Sequence, residues 1–516
     1  MLFRSLIGFL SVLIITLTSI NFINLQTASA SNRFREIGIK KTVGFNKKRL
    51  WLQVIIESMS LTFFAAIAGI VFAQIFLPSL NSIFENKIFM FPEILENKRL
   101  ILIIIAITAL TGFLSGMHPA YVISSYNPVA ALKQKYFVDK SNGISLKKVL
   151  VTAQFSISVF ILIVAFIIYR QTQYMLTKDL GFNSKTILYS NIVTDKKGSF
   201  EPLRQRLLEH NEIKDACVSD YIPFILPGGD DLHWEGADPD EKVFVRYSNV
   251  SYDVVPTFEL KMAQGRNFSK DYPSDRNSCL INETAARVFG WNDPLGKRIR
   301  TSSKDYDVIG VIKDYTVFSV FNPIEPHLYR LLPDSLGSNS VYSVSFVIGK
   351  EKEALRAVKE EFEKYMPDDA FDFQNIQSLV QNENALTAFS SFKKLTGLIA
   401  ILTTIISSIG LFGLILFMTQ RKMKEIGIRK VLGFSFGNLY FTLSSWFIRL
   451  IIISLVIAWP AAFYVYKVLP GSNKYGLQVW EFLVATVIIM LVAIATISFQ
   501  IIKALKVKPA EILKDE

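Results

Sequence analysis

Seven long apolar runs constrain this chain more than any other feature: Leu6–Leu25, Ile55–Leu77, Leu100–Ile123, Val149–Tyr169, Leu395–Met418, Ile451–Leu469 and Phe482–Ile502. A helix of about 20 residues, rising 1.5 Å per residue, crosses a hydrocarbon layer of roughly 30 Å, and each run approaches or exceeds that length. One or two such runs could be core helices of a large soluble protein. Seven specify a polytopic all-α membrane protein. Composition agrees: 51% of the 516 residues are hydrophobic, 41 are Phe, and 19% are charged, against about 25% in an average soluble chain. A soluble cytosolic enzyme is excluded.

The formal net charge of +12 is unevenly spread. Gln171 to Ser390 holds 25 Lys+Arg against 33 Asp+Glu, so of the totals of 56 and 44 the rest of the chain keeps 31 against 11. The basic balance therefore points to membrane loops held on the cytoplasmic side, and not to nucleic acid, beside one acidic, water-facing region. Three short loops are strongly basic: Asn32–Leu50, the stretch with Lys133, Lys135, Lys140, Lys147 and Lys148, and the stretch with Arg421, Lys422, Lys424, Arg429 and Lys430. Alternating crossings put all three on one side. The positive-inside rule makes that side cytoplasmic, with Asn81–Arg99, the large acidic region and the loop around Pro470–Tyr475 outside and the C-terminus inside. Thr27-Ala28-Ser29-Ala30 also fits the cleavage site of a signal peptide, but cleavage would leave Arg33–Arg49 outside and break the charge pattern.

An internal repeat at an offset of 389 residues joins the two ends of the chain. REIGIKKTVGF (Arg35–Phe45) returns as KEIGIRKVLGF (Lys424–Phe434), with seven identities in eleven positions. Leu6-Ile7-Gly8 falls on Leu395-Thr396-Gly397, and NPVAALK (Asn127–Lys133) resembles KPAEILK (Lys508–Lys514). The repeating unit is a membrane helix, a basic amphipathic segment, two membrane helices and a Pro-containing tail. Such duplication is common in transporters. The second copy is preceded by an extra helix and the outer region; by symmetry, the chain is expected to lack a first helix and a first outer domain before Met1, the alternative being a natural seven-helix protein.

The outer region reads as mixed α/β, long enough for two small subdomains. Thr186–Ile192, Lys214–Ser219, Tyr306–Ile312, Ser343–Ile348 and Ala370–Phe373 are expected strands. Pro202–Glu209, Glu283–Phe289 (opened by Asn282) and Glu351–Tyr365 are expected helices. Gly228-Gly229, Gly265, Gly290 and Gly296 are expected turns. Cys217 and Cys279 are the only cysteines, and free buried thiols are favoured over a disulfide.

No catalytic constellation is present in the sequence. His118, His210, His233 and His327 are isolated, and GGDDLHWEG (Gly228–Gly236), with Asp230, Asp231 and Glu235, reads as a solvated loop rather than a metal site. Gly471–Gly476 continues as Leu477-Gln478, so it is not a phosphate-binding loop. Gln154, Glu57 and Arg449 lie near the starts of apolar runs and read as interfacial. Gly8, Gly69, Gly112, Gly116, Gly410 and Gly413 read as sites of close helix packing. With no line of charges through the membrane, an ion channel or proton-coupled carrier is disfavoured.

NFINLQTASASNRFREIGIKKTVGF (Asn21–Phe45) and GLFGLILFMTQRKMKEIGIRKVLGF (Gly410–Phe434) resemble the signature of FtsX-like ABC transporter permeases, the class of the MacB-type exporters and lipoprotein-releasing permeases. The tandem arrangement resembles the large permeases of Bacteroidetes. VVPTFELKMAQGRNF (Val254–Phe268), INETAARVFGWNDPLGKRI (Ile281–Ile299) and YDVIGVIKDY (Tyr306–Tyr315) resemble the MacB-like periplasmic core domain. The resemblance implies a partial first permease unit over residues 1–135, a leading membrane helix over 146–170, a periplasmic α/β domain over 171–394 and a second permease unit over 395–516, in a bacterial inner membrane.

It further implies a non-catalytic subunit, binding no cofactor directly, that works with separate ABC ATPase subunits, two of them if each copy engages one. A periplasmic adaptor and an outer-membrane factor are further implied partners. The ATPase-coupling helices fall on Arg33–Leu50 and Arg421–Tyr440, with Arg33, Arg35, Glu36, Gly38, Lys41 and Gly44 in the first copy and Lys424, Glu425, Gly427, Arg429, Lys430 and Gly433 in the second. Read from the residues alone, these segments fit either a coupling interface or a plain membrane-surface anchor. Glycines inside a helix each cost about 1 kcal/mol relative to Ala, which is easier to understand at a fitted interface. The family's motion is mechanotransmission, in which ATPase closure moves the helices and the outer domain. Efflux of an unassigned substrate, a transport-free signalling complex and a membrane-anchored partner-binding protein remain as functional readings.

Overall fold

The computed structural model describes residues 2–29, 34–83, 96–124, 146–192, 200–225, 227–238, 241–301, 304–332, 340–367, 370–381, 384–469 and 473–505. The repeat tails Asn127–Lys133 and Lys508–Lys514 lie outside them. The chain forms two compact units. One comprises Met1–Arg170, Ser390–Leu469 and Gly476–Glu516, the other Gln171–Phe389 and Pro470–Tyr475.

The first unit is helical: α1 (Leu2–Ser29), α2 (Phe34–Thr42), α3 (Lys47–Ile83), α4 (Lys98–Ser124) and α5, which starts at Leu146 and runs to Thr177. All seven apolar runs fall in helices long and apolar enough to span a membrane. Several helices start earlier than hydropathy suggests, because capping residues rather than apolar residues open them. Asn46 Oδ1 accepts the Arg49 amide 2.9 Å away, which starts α3 two turns before Ile55. The span of α5 is 72% buried and that of α3 is 0% buried, so α5 is the central post of this unit and α3 presents its apolar surface outward. Val159, Ile163 and Ile168 of α5 are fully enclosed.

Among the described residues the second unit carries an eleven-stranded sheet. Its elements are β1 (Ile187–Ile192), α6 (Phe200–Leu207), β2 (Ile213–Ser219), β3 (Gly228–Trp234), β4 (Val243–Val250), α7 (Val254–Thr257), β5 (Met262–Gly265), β6 (Ser278–Asn282), α8 (Glu283–Val288), β7 (Arg298–Arg300), β8 (Asp305–Ile312), β9 (His327–Leu331), β10 (Ser340–Phe346), α9 (Glu351–Tyr365), β11 (Gln374–Asn375) and α10 (Ile376–Gln381). Then α11 (Asn384–Val431), α12 (Phe436–Val468) and α13 (Val479–Leu505) complete the chain, the greater part of their length in the first unit.

The strands run β11-β1-β10-β2-β4-β3-β7-β8-β6-β9, and β9 returns to pair in parallel with β4, closing six strands into a ring. Alternation sorts the side chains. Leu188, Ala216, Val218, Tyr342 and Val344 face the core under α6 and α9, while Ile187, Tyr189, Cys217 and Val341 face the opposite core. Leu232, Trp234, Val245, Cys279, Ile299 and Val308 form the core associated with the ring. Both cysteines are free and buried, on β2 and β6. Asn282 caps α8 by accepting the Ala285 amide at 2.9 Å, as its sequence position suggests. Asn473 donates to the Val320 carbonyl at 2.8 Å and Tyr475 donates to Gln171 Oε1 at 2.8 Å, which ties residues 473–475 into this unit.

Three local readings are corrected. Gly228-Gly229 is not a turn and GGDDLHWEG is not a loop: Gly228–Trp234 is β3, paired with β4. A Cβ on Gly229 would meet the far edge of the Phe244 ring, which lies against this glycine from the neighbouring strand. The expected strand Ala370–Phe373 is displaced to Gln374–Asn375, because Phe371 and Phe373 turn toward Phe362 of α9 instead of pairing their backbones.

His327, only 2% exposed, illustrates the cost of burial. Neither ring nitrogen has a hydrogen-bond partner among the described residues, and the ring packs 4.8 Å from Tyr329 and 6.0 Å from Tyr315. Burial first, and the Arg246 charge second, push its imidazole down to about 3. The unfolded chain therefore takes a proton from pH 6.5 downward while the folded chain does not. Stability is lost progressively from there to about pH 3, at about 1.4 kcal/mol per pH unit. Asp220, pushed up to about 6 by burial despite hydrogen bonds from Asn249, acts in the opposite sense: its contribution is lost as pH rises from 3.8 to about 6. Between pH 6 and 4 the two effects nearly cancel, and the histidine's larger shift leaves a net loss only outside that window. In His327→Phe the Asp220 effect stands alone, so the stability read by hydrogen exchange of β9 in the intact protein, corrected for intrinsic exchange rates, should rise as pH falls from 6 to 4; a slope unchanged from the wild type would refute this.

Candidate functional site

The matched EIGI segments end in the same backbone device. In α2, Phe45 donates to the Lys40 carbonyl at 2.9 Å and Gly44 to that of Lys41 at 3.2 Å, the paired bonds of a Schellman cap. In α11, Phe434 donates to the Arg429 carbonyl at 3.0 Å. Gly44 (φ +98) and Gly433 (φ +85) occupy the left-handed position that ends each helix, where a β-carbon is strained. They are therefore not helix-interior glycines, as the sequence reading had them. Each turn leads into a capped helix, α3 through Asn46 and α12 through Ser435, whose Oγ accepts the Asn438 amide at 3.3 Å. The repeated unit is thus a helix end, a glycine turn and a new helix start.

The side chains follow the repeat as well. Lys40 Nζ lies 2.7 Å from Glu36, and Arg429 lies 2.6 Å from Glu425, at equivalent positions. Ile37 and Ile426 are both buried. Lys41 Nζ donates to the Ser124 carbonyl at 2.8 Å, neutralising the C-terminal end of α4. The helix containing Lys424, Glu425, Gly427, Arg429 and Lys430 is continuous with the preceding membrane helix, whereas Arg35, Glu36, Gly38 and Lys41 lie on the separate α2. Arg33 lies outside the described residues.

Sequence reasoning passed over the apolar tips. Val43 is 77% exposed and its equivalent Leu432 71%, with Ile39, Phe45, Ile428 and Phe434 also exposed nearby. The signal available was an apolar residue directly before a helix-ending glycine.

Inside the helical unit, Gln154 is corrected from interfacial to buried, at 1% exposure. It donates to the Ser407 carbonyl at 2.9 Å and faces Asn24 at 3.4 Å. Arg449 is exposed and Glu57 half-buried. Four of the six glycines are packing sites: a Cβ on Gly116 would come within 2.7 Å of Ser58, one on Gly112 within 3.2 Å of Thr62, and those on Gly410 and Gly413 would collide with Asn21 and Leu25. Gly8 and Gly69 have nothing within 4 Å. Asn21 and Gly410 are equivalent residues of the two copies. Contact between equivalents places a local pseudo-two-fold axis between α1 and α11. Asn21 also donates to the Ile406 carbonyl at 2.5 Å. Among the described residues, no group of three or more His, Cys, Asp or Glu is placed to hold a metal.

The FtsX-like permease C-terminal family matches residues 8–128 and again 397–509, and the MacB-like periplasmic core domain matches 151–365. The ABC transporter permease YknZ of Bacillus subtilis (strain 168) is 24% identical over 204 residues, 38% of this chain and 50% of its own length. The macrolide export ATP-binding/permease protein MacB of Aggregatibacter actinomycetemcomitans is 23% identical over 271 residues, 50% of this chain and 40% of its own. The periplasmic region of MacB from Actinobacillus actinomycetemcomitans, a solved structure, is 15% identical, covers 40% of this chain and 97% of that one, and gives a TM-score of 0.31. The chain spans half or less of the length of both sequence relatives.

Seven apolar helices, a duplicated permease unit and a β-rich domain between the copies define a multi-pass membrane protein with an extracytoplasmic domain. The chain belongs to the FtsX-like, MacB-type family of ABC transporter permeases.

Proposed function

We propose that this chain is the membrane subunit of an ATP-driven transport complex, in which a separate ABC ATPase docks on the two cytoplasmic turns and its closure is transmitted to the extracytoplasmic domain. The reading rests on the matched turns: two rigidly capped, basic elements with exposed apolar tips, one per repeat. Apolar anchors rimmed by charge are what a protein interface requires, whereas a lipid anchor needs no repeated cap geometry. Glu36, Arg35, Gly38, Lys41, Gly44 and their second-copy equivalents build or flank these elements. In this division of labour Val43 and Leu432 make the contact, while the glycines and ion pairs hold its shape. Export or extrusion of a substrate is the leading outcome of that motion. An adaptor and an outer-membrane factor would extend the complex under the export reading.

Two turns in one chain call for two ATPase subunits. Mass photometry of the complex assembled with its cognate ATPase should give one permease chain to two ATPase subunits. Two permease chains for every two ATPases would refute the pseudo-dimer.

A further inference from the structure

A cavity of about 380 Å³ opens between α11, α12 and α13, lined among others by Lys422, Arg449, Trp446, Ile415, Met418 and Ile501. All three helices reach the same depth there. Lys422 follows the apolar run that ends at Met418, Trp446 and Arg449 precede the one that begins at Ile451, and Ile501 closes the one that ends at Ile502. By the positive-inside orientation this depth is the cytoplasmic headgroup level. Among the described residues no acidic side chain lines the cavity and neither cation has a carboxylate partner: Glu425, one turn from Lys422, is held by Arg429 at 2.6 Å. The Trp446 indole N–H likewise has no acceptor among the described residues. Thr442 and Ser445, also in the lining, donate to carbonyls of their own helix, so charge recognition falls to Lys422 and Arg449.

We propose that this cavity binds the phosphate of an anionic phospholipid from the cytoplasmic leaflet, with Lys422, Arg449 and Trp446 on the headgroup and Ile415, Met418 and Ile501 along the acyl chains. Two cations without a carboxylate partner among the described residues, above an apolar wall, match an amphipathic anion better than a soluble one. The repeat supplies an internal contrast. At the positions equivalent to Trp446 and Arg449, the first copy has Glu57 and Ser60. A carboxylate there repels phosphate, so the chain carries this site once, in its second copy.

The test uses the full-length protein, without any ATPase, reconstituted in nanodiscs of phosphatidylcholine with or without phosphatidylglycerol, then released for native mass spectrometry. The wild type should retain one phosphatidylglycerol per chain in preference to phosphatidylcholine. K422Q/R449Q should retain it about thirtyfold more weakly. The charge-conserving K422R/R449K, and K503Q at the end of α13, should behave as wild type, which separates loss of charge from loss of fold. Equal retention of both lipids by the wild type, or undiminished phosphatidylglycerol on K422Q/R449Q, would overturn the proposal. Displacement of the lipid by millimolar inorganic phosphate would reassign the site to a soluble anion and overturn the lipid assignment.

Discussion

Val43→Asp combined with Leu432→Asp should abolish stimulation of the partner ATPase and weaken its binding about a thousandfold. Central apolar anchors in protein interfaces are typically worth about 2 kcal/mol or more each, and each substitution also places a charge in the contact. Both residues sit at tips that stand clear of the rest of the unit, so membrane insertion and helix content should not change. Charge reversal of Glu36 and Glu425 together should also suppress stimulation, but less completely, because each carboxylate is paired within its own helix by Lys40 or Arg429 and acts by holding shape. ATP hydrolysis by the reconstituted complex and copurification of the ATPase provide the measurements. If the Val43/Leu432 double variant hydrolyses ATP like the wild type, these turns are not the docking surface.

Gly410→Leu should lower the stability of the helical unit by about 3 kcal/mol, seen as a fall of several degrees in its melting temperature in detergent. A side chain at Gly410 would have to displace Asn21 at the pseudo-axis, and the partner helix has no room to retreat without losing the Asn21 bond to Ile406. Gly8→Leu is the matched control. Nothing lies within 4 Å of that position, and leucine is the better helix former by close to 1 kcal/mol, so this variant should melt at or slightly above the wild-type temperature. Equal effects at the two sites would mean that α1 and α11 do not meet as described.

That contrast marks where sequence reasoning stopped. Both glycines interrupt apolar helices, and composition cannot tell one that faces a partner helix from one that faces outward. The membrane spans themselves were legible because hydropathy is summed over about 20 residues and tolerates errors of several. The strands were legible only in part: four of the five expected ones fall on β1, β2, β8 and β10, but β6 is buried along its whole length, so it shows no alternation, and the ring depends on β9 returning to β4 from far along the chain. Alternation did reveal β8, and the Asn282 cap marked the start of α8 correctly. Around the candidate site, the repeat and its charges drew attention to the correct segment, and Glu36 with Lys40 is an i,i+4 pair readable by counting. Treating each segment as one helix obscured the glycine turn. The exposed Val43 and Leu432 followed from that turn and could not be inferred from charge.

The meeting of Asn21 with Gly410 also says something about how the duplicated halves have diverged. At this contact one copy carries the protruding amide and the other the vacancy that receives it, so the copies have become complementary instead of identical. A chain built from two first copies would set amide against amide in the same space. One built from two second copies would leave a gap where packing is needed. Replacing either half by a copy of the other would lose that fit, so at this contact the duplicated units form an asymmetric pair.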